Sequence, residues 1–225
     1  MIAILLIAAL AAANGSPAPQ GDVARPVADI VSPIWSNPAY RDGAHEVEQI
    51  VARLSLRPGM RVADIGAGSG YDALRLARFV GPKGRIFAED VTSAYLDQLR
   101  ATVKETGLKN IDIVEGAAGD PRLPPGSIDA AIMVHMYHEI QQPMALLAKL
   151  APAFKPGGRL GIEELDRPTG AHGTPPKLLT CELAAAGYRL MDLKPLQGGL
   201  GYFAVFAPPS SAKLGAANAA RACGG

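Results

Sequence analysis

Residues 61–80 constrain the fold of this chain more than any other stretch. They read RVADIGAGSGYDALRLARFV: a short, mostly apolar run, a turn with three glycines, and an amphipathic helix that Gly81 and Pro82 end. A strand that passes through a tight turn into a helix is the first half of a βαβ unit. Because two strands joined through a helix run parallel, this stretch predicts a parallel sheet with helices packed on it.

The alternation of strand and helix continues to the end of the regular sequence. The last two predicted strands have no helix between them, so the final strand is expected to be antiparallel, and the Pro- and Gly-rich stretch 120–127 leaves little room for a helix. We predict an α/β fold, a Rossmann-like doubly wound sheet of seven strands, mostly parallel with the last strand antiparallel. The predicted strands are 61–65, 85–90, 111–116, 128–134, 159–164, 188–196 and 201–209, and the predicted helices are 44–56, 71–80, 94–106, 143–154 and 177–187.

Composition limits the partners of the chain. The 225 residues carry a net charge of +1, and 48% of them are hydrophobic, which suits one domain of ordinary size. No basic run of the kind that neutralises phosphates is present, so nucleic acid is not expected as a partner. A small molecule is the partner that this composition favours.

The two ends of the chain differ from its middle. Residues 2–13 form an uninterrupted apolar run that is too short to span a bilayer, and small residues follow it, which predicts a secretory signal cleaved between Ala13 and Ala18. No Lys or Arg precedes the run, so an uncleaved anchor or a different start codon stays open. We expect an exported protein without stable membrane insertion after signal removal, or a cytoplasmic one if the signal is not genuine. Cys181 and Cys223 show neither metal-type nor redox-type spacing. The predicted division is a signal segment (1–20), a lid segment (21–43), the main domain (44–208) and a disordered tail (209–225).

The glycine-rich turn predicts a ligand-binding loop. Glycine permits a positive φ and lets backbone N–H groups approach a ligand closely. The dinucleotide fingerprint G-x-G-x-x-G would require glycine at position 71, where this chain has Tyr71. The pattern instead is D-x-G-x-G-x-G, from Asp64 to Gly70, and it resembles the first motif of the class I S-adenosylmethionine-dependent methyltransferases.

The resemblance covers roughly residues 41–208 and implies S-adenosyl-L-methionine as the cofactor. It places the glycine loop against the methionine part, with Asp64 and the main chain of His135 near the ammonium group. It also places the carboxylate of Asp90 on the ribose hydroxyls, and that of Asp120 on the adenine amino group. Carboxylates suit this cofactor, which offers an ammonium group, a diol and an amine as donors and has no phosphate. The cofactor-binding residues that the resemblance implies are Asp64, Gly66, Ala67, Gly68, Gly70, Asp90, Val91, Ala118, Gly119, Asp120 and His135.

The segment MVHMYHEI, 133–140, leaves the fourth predicted strand beside the expected methyl group. A neutral imidazole there could accept a proton from the acceptor, and we predict His138, and with less support His135, as the catalytic base. A metal site made of His135, His138 and His172 is conceivable, but the spacing is not H-E-x-x-H and no Cys pair supports it, so no metal is expected. Trp35, Tyr40 and Arg41 of the lid segment, together with His172, are the predicted substrate-side residues.

The function that these features predict is in-line transfer of a methyl group from S-adenosylmethionine to a small-molecule acceptor. Two alternatives stay open: an exported, non-catalytic binding protein descended from this fold, and an NAD(P)-dependent oxidoreductase. The sequence does not indicate the acceptor, the atom that is methylated or the oligomeric state.

Overall fold

A computed structural model describes residues 25–30, 37–210 and Cys223. The predicted signal segment, Trp35 and most of the predicted tail lie outside the described residues. The rest forms one seven-stranded sheet with helices on both faces. The helices are α1 (Pro38–Gly43), α2 (Glu46–Leu54), α3 (Tyr71–Val80), α4 (Ser93–Thr106), α5 (Pro143–Leu150) and α6 (Pro176–Ala185), and the strands are β1 (Arg61–Ile65), β2 (Arg85–Asp90), β3 (Ile111–Glu115), β4 (Ile128–Val134), β5 (Phe154–Glu164), β6 (Arg189–Pro195) and β7 (Tyr202–Ala207).

The strand order is β3-β2-β1-β4-β5-β7-β6. Strands β1 to β5 pair in parallel, whereas β7 lies between β5 and β6 and is antiparallel to both. The predicted fold class, a Rossmann-like sheet with an antiparallel last strand, is therefore confirmed. The sheet order reverses between β1 and β4, and in doubly wound sheets ligands bind outside the carboxyl ends of the strands at such a point.

Two apolar layers hold the sheet, one on each face. Successive residues of β4 alternate between them: Ala131 and Met133 pack with α5 and α6, whereas Ala130 and Ile132 pack with α2 and α3. Both layers are apolar because a parallel sheet is covered by helices on its two faces. This arrangement leaves the strand ends as the surface on which polar side chains can converge.

The structure corrects three details of the sequence prediction. The predicted helix 44–56 spans only Glu46–Leu54, and a separate helix, α1, precedes it, because His45 takes a left-handed conformation with φ +54° between the two. Strand β5 begins at Phe154, so the stretch 155–158 that was expected to turn the chain belongs to that strand. Cys181 and Cys223 form a disulfide bond across 42 residues, a pairing that the sequence analysis did not predict.

Candidate functional site

A cavity of about 560 Å³ opens at the carboxyl edge of the sheet. Its lining comes from the ends of β1, β2 and β4, from the start of α3, and from Ile30, Pro38 and Arg41 on the N-terminal side. The volume lies within the range of about 300–1,000 Å³ that is typical of small-molecule sites. Of the predicted site residues, the ones that line this cavity are Arg41, Gly66, Ala67, Gly68, Asp90, Val91, Ala118 and His135.

The loop after β1 reaches the cavity because its glycines take left-handed conformations. Gly66 has φ +72° and Gly68 has φ +54°. A Cβ atom added at Gly68 would meet no atom within 4 Å, so the backbone there borders open space. Gly70 differs: it is the N-cap of α3, it does not line the cavity, and an added Cβ would collide with Leu99. Gly66 and Gly68 therefore line the cavity, whereas Gly70 allows the loop to pack closely against Leu99.

Two carboxylates at the end of β2 face this loop. Asp90 accepts hydrogen bonds from the backbone N–H of Gly68 and of Thr92, each at 2.8 Å, one with each of its oxygens. Burial, together with the neighbouring charge of Asp90, raises the pKa of Glu89 from 4.5 to about 8. Each oxygen of Asp90 retains a lone pair that could accept a ligand hydroxyl. Glu89, which also lines the cavity, was not predicted as a site residue.

The turn after β3 forms the third part of the cavity edge. Ala117 and Asp120 form an isolated antiparallel bridge that projects Ala118 towards the cavity. Gly119 and Asp120, both predicted as cofactor contacts, do not line the cavity. A Cβ added at Gly119 would press on α5, and Asp120 Oδ1 accepts a hydrogen bond from the backbone N–H of Arg122 at 2.9 Å. Ala118 thus lines the cavity, whereas Asp120 stabilises the turn.

A buried network of acids surrounds Arg41 behind the glycine loop. The guanidinium donates to both oxygens of Glu46 and, at 2.6 Å, to Asp72 Oδ2. Burial alone would lower the pKa of Arg41, but the charges of Asp72 and Glu46 outweigh it and raise that pKa. Asp64 is buried beside this network, and burial and the charge of Asp72 raise its pKa well above the ordinary value. Neither Asp64 Oδ2 nor Asp72 Oδ1 has a hydrogen-bond partner among the described residues.

Helix α1 is fixed to α3 by stacked cations. The Tyr71 ring lies between the guanidinium groups of Arg41 and Arg75, at 3.6 and 3.8 Å from its centroid. Asp42 accepts from Arg75 and, at 2.9 Å, from the Tyr71 hydroxyl. These contacts hold Arg41 against the cavity. Tyr40 points elsewhere: it is exposed, its hydroxyl donates to the carbonyl of Gly198, and it does not line the cavity.

The two histidines after β4 have different surroundings. His135 lines the cavity in a left-handed conformation, φ +51°, with Nε2 at 3.2 Å from a carboxylate oxygen of Glu163, and burial lowers its pKa to about 3. His138 is fully buried and does not line the cavity, and its Nδ1 lies 2.8 Å from Glu164 Oε1. His138 is therefore not among the residues that an acceptor in the cavity would contact, and its role as the base stays a prediction. His172 also lies off the cavity, on the loop that follows β5.

Comparison with known proteins agrees with this geometry. Residues 62–158 match the family model described as "Methyltransferase domain". The chain is 27% identical over 183 residues to the ubiquinone/menaquinone biosynthesis C-methyltransferase UbiE of Pseudomonas putida, covering 78% of this chain and 69% of that protein. It is 28% identical over 122 residues to the demethylmenaquinone methyltransferase of Geobacillus kaustophilus, which spans 54% of this chain and 52% of that one. A solved S-adenosylmethionine-dependent methyltransferase from Aquifex aeolicus superimposes with a TM-score of 0.65 at 25% identity, over 76% of this chain and 96% of that chain.

The chain contains a class I S-adenosylmethionine-dependent methyltransferase domain. The residues present fit that cofactor. Asp72, Glu89 and Asp90 bring three carboxyl groups to one cavity, a set suited to a cationic ligand that is rich in hydrogen-bond donors. The same set is poorly suited to a pyrophosphate, since the amide of Gly68, a donor a phosphate would need, already donates to Asp90. This geometry disfavours the NAD(P) alternative.

Several residues of this methyltransferase's cavity were not predicted from the sequence. Asp72 lies in the first turn of α3, where an acidic side chain stabilises the helix dipole. An acid at this position therefore did not by itself indicate a binding site. Glu89 precedes the predicted Asp90 by one residue, and Glu139 follows His138. The lining residues that were not predicted as site residues include Ser69, Tyr71, Asp72, Glu89, Tyr95 and Glu139.

Proposed function

We propose that this methyltransferase acts on a small organic molecule, which binds beside the cofactor under the N-terminal segment. The observation that carries the proposal is the composition of the cavity. Ile30, Pro38 and Arg41 line the same cavity as the glycine loop and the exit of β4, so one space of about 560 Å³ would hold the cofactor and its acceptor. A space of that size admits a small molecule and leaves little room for a folded macromolecule.

The names of the relatives support this choice of acceptor. The proteins from Pseudomonas putida and Geobacillus kaustophilus are named as methyltransferases of quinone biosynthesis or of demethylmenaquinone. The described chain also has no added domain after β5: residues 165–175 form a short loop with one 3₁₀ turn, and α6 follows. Both observations favour a small acceptor over a protein or a nucleic acid.

We assign the cofactor positions from the cavity lining. Asp90 would accept the ribose hydroxyls, Val91 and Ala118 would border the adenine, and Gly66, Ala67 and Gly68 would border the methionine part. Asp72 lines the cavity and Asp64 does not, so we assign the ammonium group to Asp72. The bound cofactor supplies a methyl group on a positively charged sulfur.

The chain would contribute chiefly by alignment. Pro38 and Arg41 of helix α1 line one side of the cavity, where they would limit the orientations of an acceptor. Holding two reactants in line can lower a barrier by about 7–11 kcal/mol. A base adds about two to four powers of ten where a proton must leave, and His135, whose pKa is about 3, would be neutral but weakly basic in that position.

A turnover screen tests the proposal. The purified protein is incubated with S-adenosylmethionine and a panel of small phenols, quinols, amines and thiols, and S-adenosylhomocysteine is quantified. We expect turnover with at least one acceptor and a loss of at least 100-fold in the Asp90→Ala variant. Cofactor binding without any turnover would favour the non-catalytic alternative, and methylation confined to a protein or nucleic-acid fraction would contradict a small acceptor.

We also propose that the protein is exported. The apolar run 2–13 supports it, and so does the Cys181–Cys223 disulfide, since such bonds persist mainly in oxidising compartments. Across residues 25–30, 37–210 and 223, no helix has the length and apolar character needed to cross a bilayer. Mass spectrometry of the mature protein tests this: a new N-terminus between positions 13 and 19 is expected, and an intact Met1 in a cytoplasmic fraction would contradict export.

A further inference from the structure

Three potential metal ligands meet beside the cavity. One ring nitrogen each of His138 and His172 and a carboxylate oxygen of Glu139 all lie within 4.8 Å of one another. Among residues 25–30, 37–210 and 223, this is the one such group of His, Cys, Asp or Glu side chains. The metal site weighed from the sequence combined the two histidines with His135, but His135 lies against Glu163 and Glu139 takes its place.

Each imidazole in the group presents a nitrogen without a hydrogen-bond partner among the described residues. His138 is fully buried, its Nδ1 is within hydrogen-bond distance of Glu164, and its Nε2 is buried and unpartnered. Nδ1 of His172 is also buried and unpartnered. A buried polar atom without a partner destabilises the folded protein, so a ligand that contacts both nitrogens would offset that loss.

The surroundings of His138 match those of a metal-binding histidine. Such a histidine usually donates its other ring N–H to a carboxylate, which fixes the tautomer and orients the ring. The carboxylate of Glu164 lies 2.8 and 3.0 Å from Nδ1 and also accepts from the backbone N–H of His138 at 3.2 Å. This leaves Nε2 as the metal-binding nitrogen, 3.7 Å from Glu139 Oε1.

The loop that carries His172 is fixed before any ion binds. The backbone N–H of Thr174 donates to the carbonyl of Leu165 at 2.9 Å, and the Thr174 carbonyl accepts from the Tyr202 hydroxyl at 2.6 Å. The two imidazole rings meet edge to face, with centroids 5.4 Å apart and planes at 87°. Ligand atoms 2.0–2.1 Å from a tetrahedral ion are about 3.3 Å apart, so small side-chain movements would complete the site.

We propose that His138, Glu139 and His172 bind a divalent first-row transition-metal ion, for which Zn²⁺ is the probe. Two imidazoles and one carboxylate form a ligand set that suits Zn²⁺ and leaves at least one coordination position for water or another oxygen. Mg²⁺ and Ca²⁺ prefer oxygen ligands and are expected to bind far more weakly. Glu139 also lines the cavity, so the ion would sit at the border of the acceptor space.

Calorimetric titration with Zn²⁺ tests the site, with the affinity tag removed, the protein treated with a chelator and no S-adenosylmethionine present. We expect one ion per chain with micromolar or tighter affinity, and at least 100-fold weaker binding in both His172→Asn and Glu139→Gln. His45→Asn is the matched control, because His45 has φ +54° and His172 has φ +56°, and both change to the same residue. The control should bind Zn²⁺ as the wild type does, and thermal unfolding checks that all variants fold.

A bound water molecule is the competing account of the two unpartnered nitrogens. It predicts no Zn²⁺ binding, or binding that His172→Asn and Glu139→Gln leave unchanged, and either result overturns the proposal. Equal losses in His45→Asn would do the same. The titration needs neither cofactor nor acceptor, so its failure would be distinct from a failure of the proposed methyl transfer.

Discussion

Gly68→Ala is the substitution that most cleanly separates cofactor binding from folding. Gly68 has φ +54°, lines the cavity, and would have no atom within 4 Å of an added Cβ. The chain offers a matched control in Gly126, which has φ +61°, also has open space around an added Cβ, and lies in the turn before β4. Both alanines would suffer the same backbone strain, and only one would border the cavity.

The expected magnitudes follow from these two facts. A left-handed alanine costs about 1–2 kcal/mol, so both variants should lose a similar unfolding free energy. For a domain of this size that loss corresponds to about 2–8 °C in Tm. A methyl group forced between the loop and a tightly bound ligand costs about 1–3 kcal/mol more, which is about a 5- to 150-fold rise in Kd, and only Gly68→Ala should show it.

Isothermal titration with S-adenosylmethionine, alongside thermal unfolding, measures both quantities. The account predicts paired losses of Tm and a rise in Kd confined to Gly68→Ala. If Gly68→Ala binds the cofactor as tightly as Gly126→Ala does, the loop does not contact the ligand and the assignment of the site is refuted.

Three further predictions concern stability. Arg41→Ala should lower the free energy of unfolding in urea by about 3–5 kcal/mol, because it leaves two buried carboxylates without their cation. Arg75→Ala removes a half-exposed ion pair and should lower it by less than about 1 kcal/mol. Equal losses in the two variants would contradict the buried network. Burial raises the pKa of Glu89 to about 8 in the folded protein, against 4.5 when unfolded, so the wild type should lose stability as pH rises from about 5 to 8, with little further loss above that range. Glu89→Gln should show a smaller loss over that range, and identical slopes would argue against a buried neutral acid. Cys181→Ser should lower the unfolding free energy by at most about 4 kcal/mol, the chain-entropy value for a loop of 42 residues, and added reductant should then have no further effect.

The sheet could be predicted from the sequence because its signals are local. Apolar runs such as 128–134 and the glycines at 66, 68 and 70 define strands and turns without knowledge of the rest of the chain. The handedness of βαβ units then limits how those strands can be ordered. The position of β7 between β5 and β6 follows from contacts across the sheet, and the sequence analysis predicted only that the last strand is antiparallel.

The part of the cavity lining that is formed by main chain, or by residues at strand ends, could be predicted from the sequence. Gly68, Asp90 and Ala118 line the cavity because their positions at strand ends fix where they lie. The roles of the histidines depended on which way the turn after β4 projects each side chain. His135, in a left-handed conformation, reaches the cavity, while His138, three residues later, turns inward to Glu164.

Contacts between segments that are distant in the sequence could not be predicted from the sequence alone. Cys181 and Cys223 are 42 residues apart and carry no spacing signal. Glu139 and His172 are brought together by the loop after β5, whose shape depends on hydrogen bonds such as that between Thr174 and Tyr202. Contacts of this kind depend on tertiary packing and appear only in the folded chain.

A crystal structure of the protein with S-adenosylhomocysteine tests the central claim most directly. The account predicts the ribose hydroxyls within hydrogen-bond distance of Asp90, the adenine beside Val91 and Ala118, and the homocysteine part along the backbone of Gly66 to Gly68. A ligand bound elsewhere, or an Asp90 carboxylate that faces solvent while the ligand occupies the cavity, would contradict it.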